Sequence, residues 1–275
     1  MDEKGLAVAL NARTYGNGPQ AIVLSHGYGT DQSIWHNIVP VLATHFKVLV
    51  YDLAFSSNVD PKLYDLVRYS NFSAYAHDLT SILDELDIKD CVFIGHSMSA
   101  MIGCIAATQR PDLFTHLVLL NGSPRFLNDV NTAGYKGGFT QAQVDTIFDT
   151  IETNYTGWVQ GFVPLAIGVD NASAIAKFEH TLLKMNSQVA LSSAKVVFLS
   201  DNRDYLPHVC VPTTIIQSQN DAVVPNPVAQ YMQEKLGAQA NAKLRILNAT
   251  GHFLQLTDPA LLVQVLIEVI NENKV

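Results

Sequence analysis

The chain has 275 residues, of which 48% are hydrophobic and 15% charged, and its net charge at pH 7 is −8. That balance supplies one large buried core and excludes an intrinsically disordered chain. The negative charge argues against a nucleic-acid or anionic-membrane surface, because both need a basic face to neutralise phosphate.

Residues 1–4 lack the basic-then-apolar pattern of a secretory signal. The longest apolar stretch, residues 261–270, is interrupted by Gln264 and Glu268 and is too short to span a bilayer. A soluble intracellular protein is expected. Cys91, Cys104 and Cys210 are odd in number and scattered, with no C-x-x-C pair. Neither a disulfide framework nor a zinc site follows, and all three are expected to be reduced and buried.

In chain order, short runs rich in Val, Ile and Leu at residues 21–25, 46–51, 91–95 and 116–120 read as strands covered on both faces. Helical patterns fall between them at 31–43, 71–86 and 97–109, with Asn71 as the N-cap of the second. Such alternation predicts a parallel sheet with crossover helices. The pattern breaks over residues 124–206, where four helix-like stretches (140–153, 155–167, 172–185 and 188–200) follow one another without a strand. Alternation resumes with strands at 213–217 and 243–247 and helices at 227–236 and 259–270. The expected organisation is an α/β core of residues 1–123 and 207–275, with a helical lid of residues 124–206 inserted over the strand ends.

Gly95-His96-Ser97-Met98-Ser99 lies where one such strand turns into a helix. A tight turn there lifts the Ser97 hydroxyl off the sheet edge, as a nucleophile elbow does, although Ser99 stands where glycine is usual. A serine that merely caps a buried helix would look similar in five residues alone. A serine nucleophile needs a base, and the base needs an orienting carboxylate. Asp221 and His252 each follow a late strand, in the order Ser, Asp, His that this arrangement uses. Among rival carboxylates, Asp201 and Asp204 read as a solvated turn and Asp258 as the N-cap of the last helix. Asp52 ends an early strand and stays as a minor alternative. The backbone amides of Tyr28, in the Gly-flanked turn after the first strand, and of Met98 are the expected oxyanion donors. No phosphate loop or metal-binding H-E-x-x-H occurs, and no cofactor is expected.

The inserted block carries Phe126, Tyr135, Phe139, Phe148, Tyr155, Trp158, Phe162 and Phe178, with few charges among them. About half are expected to face a cavity, which suits a small, apolar, uncharged substrate.

GHSMSAMIG (95–103), RPDLF (110–114), GSPRFLND (122–129), GGF (137–139), NYTGW (154–158), GFVPLAIG (161–168) and RYSN (68–71) together resemble the plant strigolactone and karrikin receptors. The likeness runs from about residue 11 to residue 266. The bacterial stress-response regulator RsbQ is a relative that typically has glycine at the Ser99 position. The resemblance implies an α/β-hydrolase fold with a four-helix lid and the triad Ser97, Asp221 and His252. It implies an aromatic pocket of Tyr28, Phe126, Phe139, Trp158, Phe162 and Phe178; Phe253, beside the histidine, is a further expected substrate-binding residue. It also implies a butenolide ligand, slow hydrolysis, an F-box protein and a repressor as partners, a monomer, and a place in cytoplasm and nucleus. This chain departs from the family at Tyr28 (usually Phe), Met98 (usually Val) and Phe253-Leu254 (usually Leu-Pro), and its 131–136 loop is longer. An ordinary carboxylesterase is the rival reading; a pure binding module with an idle triad is a third.

Overall fold

The computed structural model describes residues 5–129, 131 and 134–272. The readings of residues 1–4, and of Thr132 and Ala133 in the 131–136 loop, lie outside the described residues.

Seven strands form one sheet in the order β1-β3-β2-β4-β5-β6-β7. They are β1 (Arg13–Tyr15), β2 (Ala21–Ser25), β3 (Lys47–Val50), β4 (Cys91–His96), β5 (Phe114–Leu120), β6 (Thr213–Asn220) and β7 (Lys243–Thr250). All neighbours are parallel except β1, which runs antiparallel to β3. Every residue of the central strand β4 is buried, as a strand covered on both faces requires. The sequence reading missed β1. Its three residues are all exposed and show no alternation, so only pairing with β3 makes it a strand.

The helices of the core are α1 (Leu6–Ala9), α2 (Val39–Leu42), α3 (Phe72–Glu85) and α4 (Met98–Gln109). Asn71 accepts a hydrogen bond from the Ser73 amide at 2.9 Å and so caps α3 as expected. The single helix expected over 31–43 is corrected to a 3-10 turn, Gln32–Trp35, followed by α2. Pro40 has no N–H to continue a helix from the preceding turn, but is tolerated near the start of a new one.

Between β5 and β6 come α5 (Gln141–Thr153), α6 (Tyr155–Ile167), α7 (Ala172–Lys184) and α8 (Ser187–Leu199). Each begins at a side chain that accepts from the first-turn amides: Thr140, Asn154, Asn171 and Asn186. Thr140 forms a full capping box with Gln143. The block is therefore punctuated locally, which is why its helix boundaries could be read from sequence. The solvated turn expected around Asp201 is instead an ion cluster followed by a 3-10 helix, Arg203–His208. Arg125 and Arg203 both bond Asp201, at 2.5 and 2.6 Å, and Arg203 also reaches Asp129 at 2.8 Å. The Arg125–Asp201 and Arg203–Asp129 pairs join the entry and exit segments of the block and are too distant in sequence for any local pattern to reveal.

After β6 the chain forms α9 (Asn226–Lys235), β7, α10 (Leu254–Thr257) and α11 (Pro259–Glu272). Asp258 accepts from the Leu261 amide at 3.1 Å, the expected cap of α11. Among the described residues no helix is long and apolar enough to cross a membrane. Cys91 and Cys104 are buried, with burial pushing both thiols up to about 12, whereas Cys210 is only half-buried.

Candidate active site

Ser97 occupies the turn between β4 and α4 with φ 57° and ψ −122°, a conformation a non-glycine residue adopts only under constraint. Such a residue costs on the order of 1–3 kcal/mol and persists where its surroundings over-determine it. Those surroundings are visible. The Ser97 amide donates to Leu120 O at 2.9 Å. A Cβ on Gly95 would lie 2.4 Å from Ser99 O, and one on Gly122 would lie 2.3 Å from Ala100 Cβ. Only glycine at these two positions lets the turn close.

His252 follows β7, and its Nε2 lies 2.9 Å from Ser97 Oγ. On its other side His252 Nδ1 lies 2.8 Å from Asp221 Oδ2. The Asp221 side chain is fully buried, and its second oxygen accepts from the amides of Val223 and Val224 at 2.8 and 3.1 Å. The acceptor position at Nδ1 fixes the proton there, leaving Nε2 free to accept from the serine hydroxyl. Asp52 lies elsewhere, accepting from Asn11 Nδ2 and the Gln32 amide.

His96, read in the sequence only as part of the turn, holds His252 from behind. Its Nε2 donates to His252 O at 2.8 Å, and Asn121 Nδ2 donates to the same oxygen at 2.9 Å. Burial, and then the neighbouring His252, push the His96 value well below the usual imidazole range, so it stays neutral.

Met98 is the first residue of α4, so its amide has no intrahelical acceptor and points toward the turn. Ser99, in place of the usual glycine, ties the elbow to the turn that carries Tyr28. Its Oγ donates to His26 O at 2.5 Å and lies 2.9 Å from Ser25 Oγ, which in turn lies 2.9 Å from Tyr51 OH. The Tyr28 hydroxyl donates to Ala190 O of α8 at 2.9 Å, so this turn is also anchored to the helical block.

Above Ser97 and His252 lies a cavity of about 20 Å³, lined by Tyr28, Phe126, Phe162, Phe178 and Phe253 from the expected set. Phe139 and Trp158 do not line it. They sit one layer out, in an apolar groove of about 570 Å³ between α5 and α6 whose inner wall is Phe162, stacked on Trp158 at 5.1 Å. Of the eight aromatic residues noted in the block, three line the inner cavity, fewer than expected. Val197, Phe198 and Val223 line it too and were missed. Val197 repeats the buried face of Ala190 and Ala194 at helical spacing, a signal that was available. A larger concavity of about 880 Å³, between the Tyr64–Ser70 segment and α8, contains no triad residue. Among the described residues there is no cluster of three metal-binding side chains.

A strained serine on a strand-to-helix turn, with a histidine after β7 and a buried aspartate after β6 in line with it, defines a serine hydrolase of α/β architecture. The sequence matches the family described as alpha/beta hydrolase fold over residues 20–259. It is 42% identical to a strigolactone esterase of Arabidopsis thaliana, over 97% of this chain and 98% of that one. It is equally 42% identical to the karrikin insensitive 2 receptor CA of Petunia hybrida, over 96% and 97% of the two chains. Among solved structures, a hydrolase from Oleispira antarctica superposes with a TM-score of 0.91 at 32% identity, covering 97% of this chain and 96% of that one. The chain belongs to the alpha/beta hydrolase fold family, and within it to the group that contains the strigolactone esterases and karrikin insensitive 2 receptors.

Proposed function

We propose that this protein is a butenolide receptor of the strigolactone or karrikin type that hydrolyses its ligand slowly. The observation that carries this reading is an in-line Ser97–His252–Asp221 array beneath a small aromatic cavity. In the proposed reaction Ser97 Oγ attacks the carbonyl carbon of the ester or lactone while His252 Nε2 takes the hydroxyl proton. Asp221 holds His252 and stabilises the imidazolium. The amides of Tyr28 and Met98 donate to the tetrahedral oxyanion. Collapse breaks the bond to the leaving oxygen, which receives the proton from His252, and water then cleaves the acyl-enzyme by the same route.

The small cavity and its apolar wall suit an uncharged ligand. By family likeness the partners are an F-box protein of a ubiquitin ligase and a repressor, met by a monomer in cytoplasm and nucleus. Ser97→Ala tests the chemistry: cleavage of a butenolide probe should fall by at least about a thousandfold. Retention of wild-type cleavage would overturn the nucleophile. An ordinary carboxylesterase is the second reading, favoured by the fully assembled triad. Turnover separates the two, because an esterase should reach roughly 10 per second on simple esters whereas a receptor should be orders of magnitude slower. Ligand-dependent capture of a purified F-box protein should accompany only the receptor.

A further inference from the structure

The cavity beside the nucleophile is smaller than its intended occupant. At about 20 Å³ it has room for little more than one water molecule, whereas ligand pockets usually measure roughly 300–1,000 Å³. One of the rings that bound it stands closest to the base in sequence. Phe253 follows His252 directly and is 2% exposed. Its ring centroid lies 5.3 Å from the ring of His252 and 4.9 Å from that of His96. It meets Phe178 of α7 at 4.3 Å, and both rings face the cavity. The two rings have different anchors. Phe253 stands on the turn that holds His252, whose amide and carbonyl are both bonded, so its backbone cannot retreat without moving the base. Phe178 belongs to the helical block.

We propose that Phe253 is the specificity-determining residue of the site, setting the size of the acyl or lactone group that can reach Ser97. Its ring stands where that group must lie, next to the nucleophile and the base. Groups of two or three heavy atoms enter with small ring rotations. Longer ones enter only when the Phe253–Phe178 pair parts, which requires a displacement of α7. The inference rests on Ser97 being the nucleophile, and its test is independent of the natural ligand.

The test compares kcat/KM for p-nitrophenyl hexanoate and p-nitrophenyl acetate. Phe253→Leu should raise the hexanoate-to-acetate ratio at least about tenfold, since single methylenes in such pockets change discrimination by tens to hundreds of fold. Phe253→Trp should lower it. A Phe253→Leu ratio within twofold of wild type, in protein with an unchanged melting curve and full labelling by a fluorophosphonate serine probe, would overturn the proposal. Should Phe253→Leu not fold, Phe178→Leu is read in the same way, with the same rise expected and the same constancy overturning it. Should wild type neither cleave the esters nor take the serine probe, the hydrolase reading fails separately. The steric proposal is then read by thermal shift with hexanamide and acetamide: a selective gain for hexanamide in Phe253→Leu supports it, and equal shifts overturn it.

Discussion

The amide of His252 donates to Ala166 O at 2.8 Å, so His252 closes the last turn of α6. Ala166 is one of the terminal residues whose carbonyls have no acceptor role left within the helix. The contact is backbone to backbone, and its closeness depends on glycine. Gly251 has φ +102°, and a Cβ there would stand 2.0 Å from Ile167 O. The helical block and the Ser97–His252–Asp221 array are thus joined at His252 itself.

Gly251→Ala should therefore damage catalysis beyond its effect on folding. The strained φ and the clash together should lower stability by about 2 kcal/mol or more. Displacing His252 by a fraction of an ångström should reduce kcat by about ten- to a hundredfold while KM changes little. Steady-state kinetics on p-nitrophenyl acetate, beside urea denaturation, checks both. A variant of unchanged kcat would show that α6 and His252 are not mechanically linked.

Ser99→Ala removes the donor to His26 O and one partner of Ser25 Oγ. A buried carbonyl left without its partner costs about 1–3 kcal/mol. Since that carbonyl immediately precedes the turn carrying Tyr28, kcat should fall with it, through a looser oxyanion site. Denaturant midpoints and kcat for Ser99→Ala and Ser99→Gly, measured together, distinguish a stability effect from a positioning one.

Arg203→Ala opens the ion cluster that ties the two ends of the helical block, leaving Asp129, itself 9% exposed at the side chain, 3.7 Å from Arg125. The loss should be about 1–2 kcal/mol, between the values for exposed and buried pairs. Adding Asp201→Asn should cost less than the sum of the two single changes, because they share partners. A double-mutant cycle by thermal or urea unfolding measures that coupling, and full additivity would argue against a cluster.

Acid should destabilise the fold through histidines. Burial lowers the values of His26, His96 and His116, the last to about 4, so the folded state holds all three neutral below the ordinary histidine range. For His26, Asp52 opposes the shift without cancelling it. The unfolded chain takes up these protons as pH falls through about 6.5 and the folded chain does not. Stability is therefore fully present above about pH 6.5 and declines below it, by up to about 1.4 kcal/mol per pH unit for each histidine. Melting temperature should fall steadily from pH 7 to pH 5, and less steeply in His116→Gln. A flat profile would mean that these rings gain protons while folded.

Local grammar made most of this protein readable as a sequence. Strand runs, capping residues and the Ser97, Asp221 and His252 positions are each written within a few residues, and helical caps such as Asn154 and Asn171 act on amides three positions away. The order of triad residues follows from chain connectivity in this fold, so it too was legible. Strand β1 was not, since its three exposed residues form a strand only by pairing with β3. Nor was the split of residues 31–43, where a single proline outweighed an otherwise helical pattern.

The tertiary structure decided what surrounds the triad. It put Phe139 and Trp158 outside the inner cavity, brought Val197, Phe198 and Val223 into it, and joined His252 to Ala166, a residue far away in sequence. Those outcomes depend on how helices seat against a sheet edge, a matter of side-chain volume and backbone contact between segments distant in sequence. The nature of the reaction was written in residue types and their order; the space left for a substrate was set only when Phe178 and Phe253 met in the folded core.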